Sequence, residues 1–305
     1  MTARSLALLA ALAVVSSACR TDAPAPDATR TFADDVGRTV EVPAEPRRVV
    51  PLAPSLTEMV AAAGGLDRLT ARTPYCDHPP EAEALPVIST YPLDRERLVA
   101  LGADLVVGTD QVNDPGEGDA LGALGVPAVY LSFGALADIP RGLRRLGDLL
   151  GTGDAAEAAA QQFEARIAGR ERAGPDAPRV LVLIGDDVLY AFGAASYVHD
   201  MVALAGGRSA TTAFPGEGAT LSSEWVLDAS PDVVVVLRDA YGPDDLRAAQ
   251  PAWDGALPAL ADGRVCGVDP DLVSRPGPRL ADGVAALAAC LDRVGAPAEP
   301  PQAGS

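Results

Sequence analysis

Three blocks of this sequence occur twice, in the same order, in the two halves of the chain. "RRVVPLAP" at 47–54 returns as "PRVLVLIG" at 178–185, and "MVAAAGG" at 59–65 returns as "MVALAGG" at 201–207. "DRERLVALGADLVV" at 94–107 returns as "SSEWVLDASPDVVVV" at 222–236. In both copies a glutamate precedes an aspartate by eight residues, Glu96 to Asp104 and Glu224 to Asp232, and each aspartate opens an apolar strand. Strand, turn, short helix and strand in alternation indicate parallel pairing and an α/β arrangement. A chain that repeats such a unit folds as two similar lobes, expected here over about 33–150 and 176–295. Ahead of the first strand, "TFADDVGRTVEVP" at 31–43 alternates like a hairpin around Gly37.

Between the copies, "GDAAEAAAQQFEARIAGRERAG" at 153–174 is nearly pure helix former, with Phe163 and Ile167 one turn apart. A helix filling the interval 151–175 would be a rod of roughly 30 Å, long enough to cross the back of a lobe pair. As the single covalent link it would restrict the cleft between the lobes to modest opening.

The amino terminus reads as an address. Arg4 precedes the apolar run "LALLAALAVV" at 6–15, too short to span a bilayer, and "SSAC" follows, ending at Cys19. Residues 1–19 are therefore an expected export signal, and the cysteine after Ser-Ser-Ala resembles a lipoprotein cleavage box, with Cys19 the lipidated residue. The Pro/Ala/Asp-rich stretch 20–32 suits a flexible tether, and 296–305 is expected to be a disordered tail. No later run is apolar enough for a membrane helix.

Composition removes several function classes. A net charge of −18 disfavours nucleic acid and anionic membrane surfaces as partners. All 24 basic residues are arginine, so Walker-type phosphate loops, Schiff-base chemistry and pyridoxal catalysis lack their lysine. The two histidines, His78 and His199, fall in different lobes, and no HExxH, GxSxG, dinucleotide fingerprint or paired CxxC is present. The one dense cluster is "RTPYCDHPPEA" at 72–82, which sets Tyr75, Cys76, Asp77 and His78 side by side. Neighbouring side chains on an extended loop point to opposite sides, which disfavours a dyad, and no second ligand cluster completes a metal site. An exported metal- or thiol-dependent enzyme using Cys76 and His78 is the alternative from another class; no catalytic residue, cofactor or metal is otherwise expected.

Taken together, "DDVGRTVEVPAEPRRVVPLAPSLTEMVAAAGGLDRLTA" at 34–71, "YCDHPPEA" at 75–82 and "SRPGPRLADG" at 274–283 resemble the class III substrate-binding proteins of ABC importers. That family carries cobalamin, iron siderophores and haem, and the second and third motifs are most similar to its cobalamin-binding branch. The resemblance covers about 33–292. It implies two Rossmann-like lobes joined by one spanning helix, ligand in the cleft between them, and a periplasmic or lipid-anchored monomer. It implies a function too: capture of a corrinoid as transported ligand and delivery to a permease dimer with its ATPase, with haem or a ferric siderophore as the alternative cargo.

Site residues follow from the same motifs. Tyr75 and Tyr91 fall on family positions that lie against the macrocycle, and Tyr190 and Phe192 occupy the corresponding loop of the second lobe. Asp271 and Arg275 could hydrogen-bond corrin amides, while His78 replaces the usual tyrosine. Glu96 and Glu224 match the acids, one per lobe, that dock into arginine pockets of the permease; each could instead cap its helix. Cys290 matches a family cysteine whose usual partner position is Ala205 here, which leaves Cys266 as the next candidate for a disulfide and Cys76 unpaired.

Overall fold

The structure is a computed structural model that describes residues 28–295. The expected export signal, Cys19, the tether up to residue 27 and the tail 296–305 lie outside the described residues. The rest of the expected tether is not loose chain. Strand β1 (Thr29–Ala33) pairs antiparallel along its length with β2 (Thr39–Pro43), because Phe32 and Val42 both turn into the first lobe's core.

The first lobe continues with β3 (Val49–Pro51), α1 (Pro54–Val60), α2 (Arg95–Ala100), β4 (Leu105–Thr109), α3 (Glu117–Ala123), β5 (Ala128–Leu131) and α4 (Asp138–Leu150). Helix α5 (Gly153–Ile167) connects to the second lobe. That lobe comprises β6 (Arg179–Leu183), β7 (Tyr190–Phe192), α6 (Val198–Leu204), β8 (Arg208–Ser209), β9 (Gly218–Thr220), α7 (Ser223–Ala229) and β10 (Val233–Val236). It closes with α8 (Pro243–Ala249), α9 (Pro258–Ala261), β11 (Val265–Gly267) and α10 (Leu280–Gly295).

The repeat is visible in the sheets. The first is parallel in the order β3-β4-β5, and the second holds the equivalent parallel set β6-β10-β11, to which β7, β8 and β9 are added. The repeated aspartates have the same task in both copies. Asp104 accepts from the backbone N–H groups of Arg47 and Arg48, and Asp232 from that of Arg179. Each thereby ties the start of β4 or β10 to the start of its neighbour. Both copies of the Gly-Gly motif stop a helix on a left-handed residue, Gly64 at φ 86° and Gly206 at φ 98°, a conformation that costs glycine little.

Apolar strands feed two cores each, since alternate side chains leave opposite faces. Val180, Val182, Val233 and Val235 join one cluster with Val49, Leu105 and Val107 of the first lobe, so the inner layers of both lobes form one continuous core. The outer faces of the two sheets have cores of their own, one around Trp253 and one around Tyr130.

The connecting helix is shorter than expected. It ends at Ile167, because Ala168 is extended and Gly169 turns left-handed, so it spans about 22 Å rather than 30. It still touches both lobes: Ala156, Ala160 and Phe163 are buried in the shared core, and Arg166 pairs with Asp282 on α10. Cys266 on β11 and Cys290 on α10 form a disulfide with a Cα–Cα distance of 6.1 Å, stapling the last helix to its sheet.

Candidate ligand-binding cleft

Open α/β sheets present ligands to the loops at the carboxyl ends of their strands. In the first lobe those ends open onto a cavity of about 360 Å³ that the second lobe closes from the other side. Ala53, Pro54 and Ser55, which follow β3, Thr109, which ends β4, and Gln111 and Val112 just beyond it form one wall. Tyr190 and Phe192 on β7, with Ser196, Tyr197 and Glu217, form the opposite wall, and Ser274, Arg275 and Pro276 close one side. The Phe192 and Tyr197 rings sit 6.4 Å apart, and the Tyr197 hydroxyl donates to Val273 O at 3.0 Å, fixing the approach to the 274–276 turn. Burial raises the Tyr197 phenol well above its ordinary pKa, so it stays protonated and keeps donating.

Beside the cavity an ion-pair network crosses from lobe to lobe. Glu58 on α1, 3 % exposed, accepts from Arg279 Nε at 2.9 Å and Nη2 at 2.6 Å. Arg275 reaches Asp77 with both terminal nitrogens and Asp271 at 2.9 Å. The hydrogen bond from Arg275 holds the Asp77 carboxyl below its usual range. Burial does the opposite to Asp271, raising its pKa despite the attraction of Arg275.

The expected site residues are thus separated. Tyr190, Phe192 and Arg275 line the cavity. Tyr75 and Tyr91 are 75 % and 96 % exposed and are not on its walls, and Asp271 is engaged by Arg275 rather than facing it. Cys76 and His78 diverge: Cys76 is fully buried, its sulfur 3.0 Å from Thr57 Oγ1 and 3.1 Å from Thr73 Oγ1, whereas His78 is exposed. Among the described residues no group of three or more His, Cys, Asp or Glu is placed to hold a metal ion. Sequence reasoning missed Glu58, Thr109, Gln111, Tyr197 and Glu217. Only the position of Thr109 at the end of an apolar strand signalled its place in the cleft.

Glu96 and Glu224 occupy equivalent positions, each the second residue of its helix and exposed. Neither is the cap: the Asp94 side chain accepts from Arg97 N at 2.9 Å and Ser222 Oγ from Trp225 N at 3.1 Å. Among the described residues neither glutamate forms a salt bridge.

Compared with known proteins, residues 49–272 match the model of the periplasmic binding protein family. The chain belongs to the periplasmic binding protein family. Relatives of this binding protein include the vitamin B12-binding protein of Pectobacterium carotovorum, 32% identical over 243 residues that cover 77% of this chain and 84% of the relative. Another is the vitamin B12-binding protein of Vibrio parahaemolyticus, 29% identical over 237 residues, 76% of this chain and 84% of that one. Among solved structures, a periplasmic heme-binding protein from Pseudomonas aeruginosa matches with a TM-score of 0.65 at 30% identity, covering 80% of this binding protein and 92% of that chain. The periplasmic vitamin B12-binding protein of Vibrio cholerae shares the two-lobed fold, with a TM-score of 0.68 at 22% identity over 83% of this chain and 99% of that one. Among the described residues no helix is long and apolar enough to cross a membrane.

Proposed function

We propose that this periplasmic binding protein captures a corrinoid between its lobes and hands it to an ABC import permease. The observation that carries the choice of ligand is the state of the one arginine that the described residues place on the cavity wall. Arg275 is already held by Asp77 and Asp271, and the other charged wall residue, Glu217, is an acid. A cleft with no uncommitted cation among the described residues suits a macrocycle edged with neutral carboxamides. It does not suit haem, whose two propionates would bring negative charge toward Glu217 in a molecule of net charge −18. The aromatic wall of Tyr190 and Phe192 offers an apolar face for the ring. The B12-binding relatives support the same reading.

Delivery rests on Glu96 and Glu224, equivalent acids on two pseudo-symmetric lobes, which suit a two-fold permease surface. Lipid anchoring through Cys19 would hold the protein at that membrane. Parallel titrations test the ligand. Cyanocobalamin should give saturable calorimetric binding at micromolar concentration, and hemin should leave no bound Soret band. A hemin complex with no cobalamin heat would replace the corrinoid reading with haem.

A further inference from the structure

The floor of the cleft contains two oxygens that the fold itself leaves unused. Thr109 ends β4, and the turn after it is pinned. Asn113 Oδ1 accepts from Thr109 N at 3.0 Å, and Asn113 Nδ2 donates to Leu52 O at 3.3 Å. Two residues beyond Thr109, the Gln111 amide is anchored by its nitrogen, which donates to Phe133 O at 3.0 Å. Yet Thr109 Oγ1 and Gln111 Oε1, both buried, have no hydrogen-bond partner among the described residues, and both residues line the cavity. Thr109 is 1 % exposed, so its hydroxyl is deprived of bulk water as well. Buried polar atoms are nearly always paired, and an unpaired one destabilises the fold that contains it.

We propose that Thr109 and Gln111 are specificity-determining residues that recognise a neutral carboxamide on the ligand and reject a carboxylate. This rests on the cleft reading above and names the part of the ligand that the floor reads. Gln111 has committed its donor to Phe133, so its free oxygen only accepts. The Thr109 hydroxyl can donate. A rotation of about 120° about χ1 carries that hydroxyl to the position the methyl holds and the methyl to that of the β-hydrogen, and breaks no hydrogen bond because none is made. A carboxamide supplies both complements: its N–H to Gln111 Oε1 and its carbonyl oxygen to the Thr109 hydroxyl. A carboxylate has no N–H, and would set its charge against the lone pairs of Gln111 Oε1 and across the cavity from the Glu217 acid. Sites built around a committed hydrogen-bonding group discriminate strongly against the analogue that leaves it unpaired.

The test uses the mature protein, cyanocobalamin, and the monocarboxylic acids made from cyanocobalamin by hydrolysis of single peripheral amides. Wild type should bind at least one of these acids about tenfold more weakly than cyanocobalamin. T109V, which keeps the shape of threonine without its hydroxyl, and Q111L should each lose about tenfold in affinity for cyanocobalamin and narrow the gap between amide and acid. Ligand-free T109V should melt at or above the wild-type temperature, since no internal hydrogen bond is removed. If wild type binds cyanocobalamin while both variants bind it equally well with discrimination intact, this assignment is wrong and the corrinoid reading survives. A T109V that melts well below wild type also overturns it, because the hydroxyl would then have an internal partner. Absence of corrinoid binding by wild type itself refutes the parent reading instead.

Discussion

Within the 72–82 loop Cys76 is a small, fully buried group whose sulfur accepts from the Thr57 hydroxyl and shares a hydrogen bond with that of Thr73. Maleimide labelling of native protein should therefore leave it unmodified over minutes and modify it fully in denaturant; rapid native labelling would show an accessible thiol and revive the enzyme alternative. Its neighbour Asp77 faces the other way and ties the loop to Arg275 of the second lobe. Because that hydrogen bond lowers the folded-state pKa of Asp77, its contribution to stability is complete above the ordinary carboxylate value of about 4 and fades as pH falls through the lower folded value. Asp77→Asn should flatten the acid limb of the stability curve below about pH 4. An acid limb identical to wild type would mean the tie is not formed in solution. At this scale the sequence was only partly legible. Alternation along an extended loop sets Asp77 apart from Cys76 but leaves Cys76 and His78 on one side, so their divergence was not legible. Glu58 could not be found, because in "PSLTEMV" it reads as an ordinary helix residue and its partner Arg279 lies 221 positions away.

Helices α4 and α5 form a close antiparallel pair, and the contact depends on absent side chains. A Cβ on Gly147 would come 2.3 Å from Ala156 Cβ, well inside van der Waals contact. Gly147→Ala should cost about 1–3 kcal/mol in denaturant unfolding by forcing the helices apart; a neutral result would contradict this packing. The contact also explains why the connecting segment could be recognised as helix but not measured. Its helix formers continue past Ile167, whereas the actual end is set by the left-handed Gly169 and the need to reach β6. The paired aspartates were the opposite case. Asp104 and Asp232 recur at fixed spacing because each must bond the backbone at the start of the neighbouring strand, a local geometric demand that leaves a repeat in the sequence.

Over the whole molecule the lobes are held by a common apolar core, by α5 and by the Glu58–Arg279 and Asp77–Arg275 pairs, which favours modest movement around a fixed cleft. The outer surface carries the two acids proposed for docking. Reversing the charge of Glu96 and Glu224 together should abolish corrinoid uptake through the cognate permease and leave ligand affinity within about twofold of wild type. Uptake that survives the double reversal would assign docking to other residues. Both acids are marked in the sequence by the repeat, whereas the cleft is not, since its walls come from six separate segments that only the fold assembles. Whether a corrinoid lies between the lobes is decided by a crystal structure grown with cyanocobalamin. We predict the macrocycle in the cleft, with Tyr190 and Phe192 on one side and Thr109 to Val112 on the other. A ligand seated on an outer surface of either lobe, or none between them at saturating concentration, would contradict it.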